Sequence, residues 1–206
     1  EKDAVFVPLQ TRDAAAFLER MVLPSREVEL NFAGFAVTNP HKKAVLPLVA
    51  NVDEAAAAIG AINTIRVEPD STLTGTNTDA AGFIAPLLRR FGGLRGGRAA
   101  IIGAGGAARA CIFALRQAGC EPTVFAREPN RASDVSADLD VPVEQLGENV
   151  DLGRFDVVVN ATPLGTKGKL QAFSPVAAHQ LKGVKIAYDL TYVPAVTRFM
   201  SDAAAA

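Results

Sequence analysis

The sequence predicts an α/β fold in two domains, a Rossmann-type doubly wound parallel sheet preceded by a smaller α/β unit. Three observations predict it. Short apolar runs alternate with helical segments from residue 99 to residue 190, the pattern of parallel strands joined by right-handed crossovers. A glycine-rich loop at 103–108 lies between one such run and a helix. Glycines at 92, 93, 96 and 97 supply flexible backbone where the composition changes, so the boundary is placed there, with domains 1–91 and 92–206.

Along the first part, residues 4–9 (AVFVPL) read as a short strand, and residues 14–21 carry apolar side chains at helical spacing until Pro24. Residues 35–37 read as a second strand. From 40 to 59 the pattern is helical, with a break between Pro47 and Asp53. Residues 61–67 and 73–76 form two strands around the polar turn 68–71. Thr78 is a good N-cap for a helix reaching Leu88. In the second part, strands are expected at 99–102, 123–126, 155–160 and 184–190, with a turn and helix over 103–118.

Composition narrows the function. The 206 residues carry a net charge of -1, with 49% hydrophobic and 21% charged residues, as in an ordinary globular protein. A pI near 6.2 and no basic face argue against a nucleic-acid partner. Pro47, Asn51, Asp53 and Glu54 interrupt the most hydrophobic region, so no membrane span is expected. Cys111 and Cys120 lack metal-ligand spacing; they read as reduced thiols of a cytoplasmic or plastid-type compartment, with no metal site. The start at Glu1 and the alanine end suggest a truncated chain.

The loop Gly103-Ala104-Gly105-Gly106-Ala107-Ala108 has the G-x-G-x-x-A form of a dinucleotide site. Gly103 makes the tight turn, Gly105 lets the backbone approach a pyrophosphate, and Ala108 allows close helix packing. The amides of the following helix then face the anion. The next strand ends Phe125-Ala126-Arg127, and Arg127 with Arg131 can grip a 2′-phosphate, which favours NADP (NADPH) over NAD. Glu128 leaves a diol contact open, since it can meet a ribose or pair with an arginine.

Four further strings stand in order: Gly-Phe-Ala-Val-Thr-Asn-Pro-His-Lys at 34–42, Gly-Ala-Ile-Asn-Thr at 60–64, Gly-Thr-Asn-Thr-Asp at 75–79, and Tyr-Asp-Leu-Thr-Tyr at 188–192. With the loop at 103–107 and Asn-Ala-Thr-Pro-Leu-Gly at 160–165, they resemble the shikimate dehydrogenase family over nearly the whole chain. The resemblance implies NADPH-dependent reduction of 3-dehydroshikimate to shikimate. It makes Lys42 the catalytic lysine and Asp79 its aspartate partner, and assigns Thr38, Asn63 and Tyr192 to the substrate. Leu190 is placed against the nicotinamide and Thr162 beside the cofactor ribose. Burial of an amine favours its neutral form and an adjacent carboxylate its charged form, so lysine and aspartate are treated as a coupled pair. His41 beside the lysine reads as a surface or helix-start residue.

The chain departs from the family pattern at Ala36 and Ala126, where asparagine is common, and has no Ser-x-Ser-Pro-type string for the substrate carboxylate. Quinate dehydrogenase activity with relaxed cofactor use, or a non-catalytic NADP-binding module, are the alternatives. Asn31-Phe-Ala-Gly-Phe35 suggests an upstream dehydroquinate dehydratase domain as in plant-like forms.

Overall fold

A computed structural model describes residues 4–25 and 30–206. Its first sheet contains β1 (Gly34–Ala36), β2 (Asn51–Val52), β3 (Thr64–Val67) and β4 (Leu73–Thr76), in the spatial order β1-β3-β4-β2. β1, β3 and β4 are antiparallel, and β2 runs parallel to β4. Helix α1 (Ala14–Met21) begins where Asp13 accepts the Ala16 amide at 3.0 Å, and it buries Leu18 in a core with Val45, Ile62, Ile65 and Leu73.

Two expectations fail here. Residues 4–9 form no strand; Val5 and Phe6 are exposed, and no described strand lies alongside to complete a ladder. The helix expected over 40–59 shrinks to a 3-10 turn, Leu46–Leu48, and to α2 (Glu54–Ile59). Pro47 has no amide to donate, and Asp53 starts a new helix by accepting the Ala56 amide at 2.6 Å. β2 occupies the supposed break.

Helix α3 (Asp79–Phe91) ends at Gly92, whose φ of 76° suits the left-handed cap. Thr78 does not cap it with its side chain; its hydroxyl instead accepts from Asn63 Nδ2 at 2.9 Å.

The second sheet is wholly parallel: β5 (Arg98–Ile102), β6 (Glu121–Ala126), β7 (Val143–Gln145), β8 (Val157–Asn160) and β9 (Ile186–Asp189), ordered β7-β6-β5-β8-β9. Helix α4 (Gly106–Gln117) follows β5, α5 (Ser133–Leu139) follows β6, and α6 (Arg198–Ala205) closes the chain. The chain leaves β5 toward β6 on one side and returns to β8 on the other, so the carboxyl ends of β5 and β8 flank a switch-point crevice. Sequence reading missed α5, β7 and α6. Ser133-Asp-Val-Ser-Ala-Asp-Leu139 is polar and short, and β7 is a three-residue edge strand, so neither has a strong period to read.

One core cluster ties α3 to the second sheet. Ile59, Ala61, Ala80, Phe83 and Leu87 join Ile101, Ile112, Leu115 and Val159, and the Phe83 ring meets Tyr188 edge-on at 5.0 Å. Phe83→Ala is expected to cost about 3–5 kcal/mol; urea unfolding measures it, and a loss below about 1 kcal/mol would show that α3 is not anchored through this ring.

Candidate active site

The candidate site begins with the stretch between α2 and β3. The Ile62 amide donates to the Lys42 carbonyl at 2.8 Å, which holds the lysine backbone against the segment leading into β3. Asn77, a buried amide, donates to the Ala61 carbonyl at 2.9 Å and accepts from the Asp79 amide at 3.0 Å. Residues 61 and 62 thus orient both the lysine and the aspartate.

The side chains then meet. Lys42 Nζ donates to Asp79 Oδ2 at 2.6 Å, and Asn63 Nδ2 donates to Asp79 Oδ1 at 2.7 Å. Each carboxylate oxygen therefore has a donor, and the group sits in the first turn of α3, where the helix terminus complements negative charge. Both side chains are partly exposed, Lys42 at 17% and Asp79 at 31%, so the pair borders solvent and a ligand can reach it. Asn63 Oδ1 also accepts the Thr78 amide at 2.9 Å and the Thr64 hydroxyl at 2.9 Å, which fixes its orientation. Thr38 lies exposed one residue beyond Val37, whose amide donates to the Asn63 carbonyl at 2.7 Å. His41 turns elsewhere and donates through Nε2 to the Thr11 carbonyl at 3.0 Å. Ala36 is exposed at the end of β1.

The glycine-rich loop lies directly against this pair. A Cβ added at Gly106 would sit 3.1 Å from Lys42 Cβ and 3.3 Å from its Cδ. The aliphatic stem of the lysine therefore packs on the first residue of α4.

A dinucleotide fits the crevice. Gly103 has φ of +111°, and a Cβ there would meet Thr162 Cγ2 at 3.1 Å, so the turn requires glycine. At Gly105 a Cβ would find nothing within 4 Å, which leaves open space above the loop. The Arg109 amide bonds back to the Gly105 carbonyl at 3.1 Å, so the amides of Gly106, Ala107 and Ala108 precede the helical ladder, as an anion site needs. Ala104 packs against the core cluster that includes Ile101. Ala126 ends β6 half-buried and Arg127 is exposed, while Arg131 is paired with Glu128 at 2.9 Å.

On the other wall, Asn160 is fully buried and organises the loop after β8. Its Oδ1 accepts from the Thr162 amide at 3.0 Å and the Thr162 hydroxyl at 2.7 Å, while Nδ2 donates to Leu164 O at 3.1 Å and to Asp189 Oδ1 at 3.0 Å. Asp189 also accepts the Thr191 amide at 2.9 Å and the Thr197 hydroxyl at 2.6 Å. That network shapes the turn carrying Leu190, which is half-buried, and Tyr192, which is 85% exposed. The structure thus gathers Lys42, Asp79, Asn63 and the loop, and leaves Tyr192, Arg127 and Arg131 at the surface. Sequence reasoning missed Asn77 and Asn160 as organisers, although both lie inside strings it singled out.

Among the described residues no cluster of His, Cys, Asp or Glu is placed to hold a metal, and no helix is long and apolar enough to cross a membrane.

Residues 4–65 match the family described as shikimate dehydrogenase substrate binding domain. The NADP(+) shikimate dehydrogenase of Paramagnetospirillum magneticum is 39% identical over 211 residues, covering 98% of this chain and 74% of that enzyme. The chain belongs to the shikimate dehydrogenase family. A second family member, from Moorella thermoacetica, is 40% identical over 184 residues, which cover 84% of this chain. The chain spans 62% of that relative's length. Among solved structures, the shikimate 5-dehydrogenase of Thermus thermophilus in complex with NADP(H) and shikimate is 37% identical, with a TM-score of 0.71 over 84% of this chain and 64% of that one.

Cys111 lies on α4 close enough to this family site to feel both charges. Burial pushes its thiol pKa well up, the Asp79 charge raises it further, and Lys42 lowers it. At pH 8 the native chain should therefore react with a disulfide reagent at Cys111 at least about 100-fold more slowly than the unfolded chain. Peptide mapping after brief labelling reads this directly; fast native modification would contradict the burial.

Proposed function

We propose that this chain carries the NADP-dependent shikimate dehydrogenase reaction, the reversible reduction of 3-dehydroshikimate to shikimate. One observation supports it above the others: an amine hydrogen-bonded to a carboxylate at 2.6 Å, with its stem packed on the first residue after a dinucleotide loop. Ketone reduction needs a proton source and a hydride source on one carbonyl group, and in this reading the Lys42 amine and a nicotinamide held by the loop would be those two sources. Residues 1–91 are the substrate-binding part and residues 92–206 the NADP-binding part in this reading.

When bound, the nicotinamide supplies the hydride in reduction and takes it up in oxidation. Gly103 to Ala107 would hold the pyrophosphate, with Arg127 and Arg131 at the 2′-phosphate, Ala126 beneath the adenosine end, Thr162 at the ribose and Leu190 against the nicotinamide. The Arg131 guanidinium is already shared with Glu128, so Arg127 is the freer grip. Thr38, Asn63 and Tyr192 would hold the substrate hydroxyls. As the carbonyl carbon gains hydride, Lys42 Nζ gives a proton to the carbonyl oxygen; in oxidation the amine takes that proton back. Asp79 keeps the amine aimed in both protonation states, and Asn63 keeps Asp79 from rotating away.

The reading sets the protein in the cytoplasm, or in the plastid if its source is a plant. An upstream dehydroquinate dehydratase domain is the fusion partner to look for in the intact reading frame.

Initial rates with shikimate and quinate, each with NADP+ and NAD+, test the assignment. Shikimate with NADP+ should be the preferred couple. Tight NADP+ binding with no turnover of either polyol would return the reading to a non-catalytic module. Lys42→Ala should lower turnover by about 100-fold or more while the NADP+ Kd changes little; intact turnover in that variant would remove Lys42 from the chemistry. Arg127→Ala should weaken NADP+ about 10-fold or more and leave NAD+ nearly unaffected, whereas equal loss for both cofactors would take the 2′-phosphate away from Arg127.

A further inference from the structure

Arg109 is a residue the proposed chemistry does not use, yet its side chain is 1% exposed. It projects from α4, one turn past Gly106, toward the ends of α2 and α5. Its Nη1 donates to the Ile59 carbonyl at the end of α2 at 3.1 Å, and Nη2 donates to Asp138 Oδ2 of α5 at 2.5 Å. Asp134 Oδ2 lies 3.5 Å from the same nitrogen and also accepts Lys43 Nζ. Gly60 has φ of +70°, and a Cβ there would come within 2.9 Å of Nη1, so that corner is cut to fit the guanidinium. Arg109 Nε is buried with no hydrogen-bond partner among the described residues. An apolar side chain would fill the space without that penalty, which argues for a task beyond packing.

The segment that Arg109 grips supports the site. Just past Ile59, Ala61 holds Asn77, which fixes the Asp79 amide; Ile62 holds the Lys42 backbone; and Asn63 orients the Asp79 carboxylate. The other end of the arginine rests on α4 and α5, the helices that follow the glycine-rich loop and the next strand. Lys43, adjacent to Lys42, is tied to the same Asp134.

We infer that Arg109 is a positioning residue: by gripping the end of α2 from α4, it fixes how closely the segment carrying Lys42 and Asp79 sits on the cofactor loop. The inference rests on the proposed role of Lys42 in proton transfer. It sets the aim of the amine and leaves the phosphate-facing amides untouched. Loss of the grip therefore acts on turnover more than on cofactor binding.

The test uses the full chain with Arg109→Met, Arg109→Lys and Asp138→Asn, and three readings. These are steady-state shikimate oxidation, the NADP+ Kd, and the rate at which acetic anhydride modifies Lys42 relative to the exposed Lys169, read by peptide mass spectrometry. Arg109→Met should lower kcat about 30-fold with the NADP+ Kd within about threefold. Its relative Lys42 modification should rise about fivefold or more as the stem loses its seat on Gly106. Arg109→Lys should recover part of kcat, because a single amine reaches one partner but not both. Asp138→Asn, at a half-exposed position, should shift both readings in the direction of Arg109→Met and by less. Should Arg109→Met fail to fold, the other two variants carry the test. Wild-type kcat and wild-type Lys42 modification in both folded variants would overturn the inference, as would a fall in thermal stability with both readings unchanged. If the unaltered protein does not oxidise shikimate, the proposed function falls, and the Lys42 modification rates still decide whether Arg109 sets the position of the amine.

Discussion

Everything in this molecule depends on the approach of one lysine stem to one glycine across the junction between the two sheets. Lys42 rests on Gly106 so closely that a methyl group there would press to 3.1 Å of the lysine Cβ and push its stem aside by a few tenths of an ångström. Gly106 is not one of the spaced positions that a dinucleotide fingerprint demands, so the close approach to the lysine gives its own reason for a glycine there. The same contact keeps the amine within reach of anything bound above the loop. An amine free to swing would have to be brought into register with a bound ligand each time; here packing on Gly106 holds its stem in place.

The pair itself is stabilised by layered amides rather than by burial of charge. Breaking a fully buried ion pair leaves a charge unpaired, at a cost of about 3–5 kcal/mol, but Lys42 and Asp79 are partly open to water and their attraction is correspondingly screened. Precision comes from neutral groups behind them: Asn63 on one carboxylate oxygen, Asn77 on the Asp79 amide, and the Ile62 amide on the Lys42 carbonyl. Each such bond contributes only about 1 kcal/mol net. Their value lies in direction, since side-chain amides already satisfied by backbone cannot follow the carboxylate if it rotates.

Much of this was legible in the sequence, and the reasons for the rest are physical. The strands around the loop announce themselves because a parallel sheet covered on both faces needs continuous apolar runs, as in Ala99 to Ile102 and Val157 to Val159. The loop itself is legible because its glycine spacing is distinctive and because Gly103, with φ of +111°, answers a backbone demand that side chains rarely meet. Helix α5 and strand β7 were not, because their place is set by what they pack against. The turn at 40–48 misled because apolar spacing alone looks helical, while Pro47 and the cap at Asp53 decide otherwise. At the site, Lys42 and Asp79 stand out through motif order. Arg109 does not, because an arginine on a helix ordinarily reads as solvated, and only the fold reveals that it is sealed between α2, α4 and α5.

That last point bears on how the two sheets behave as a unit. The apolar cluster uniting Ile59, Phe83, Ile112 and Val159 is held by burial, which is a non-directional force. Hydrogen bonds from a planar, buried guanidinium are directional, and those of Arg109 to the Ile59 carbonyl and to Asp138 add a fixed direction to that burial. Apolar burial holds the two sheets together, and directional polar contacts select one relative placement among several that burial alone would accept. An active site assembled across a junction needs both, because the core supplies adhesion while the arginine and the amides supply register.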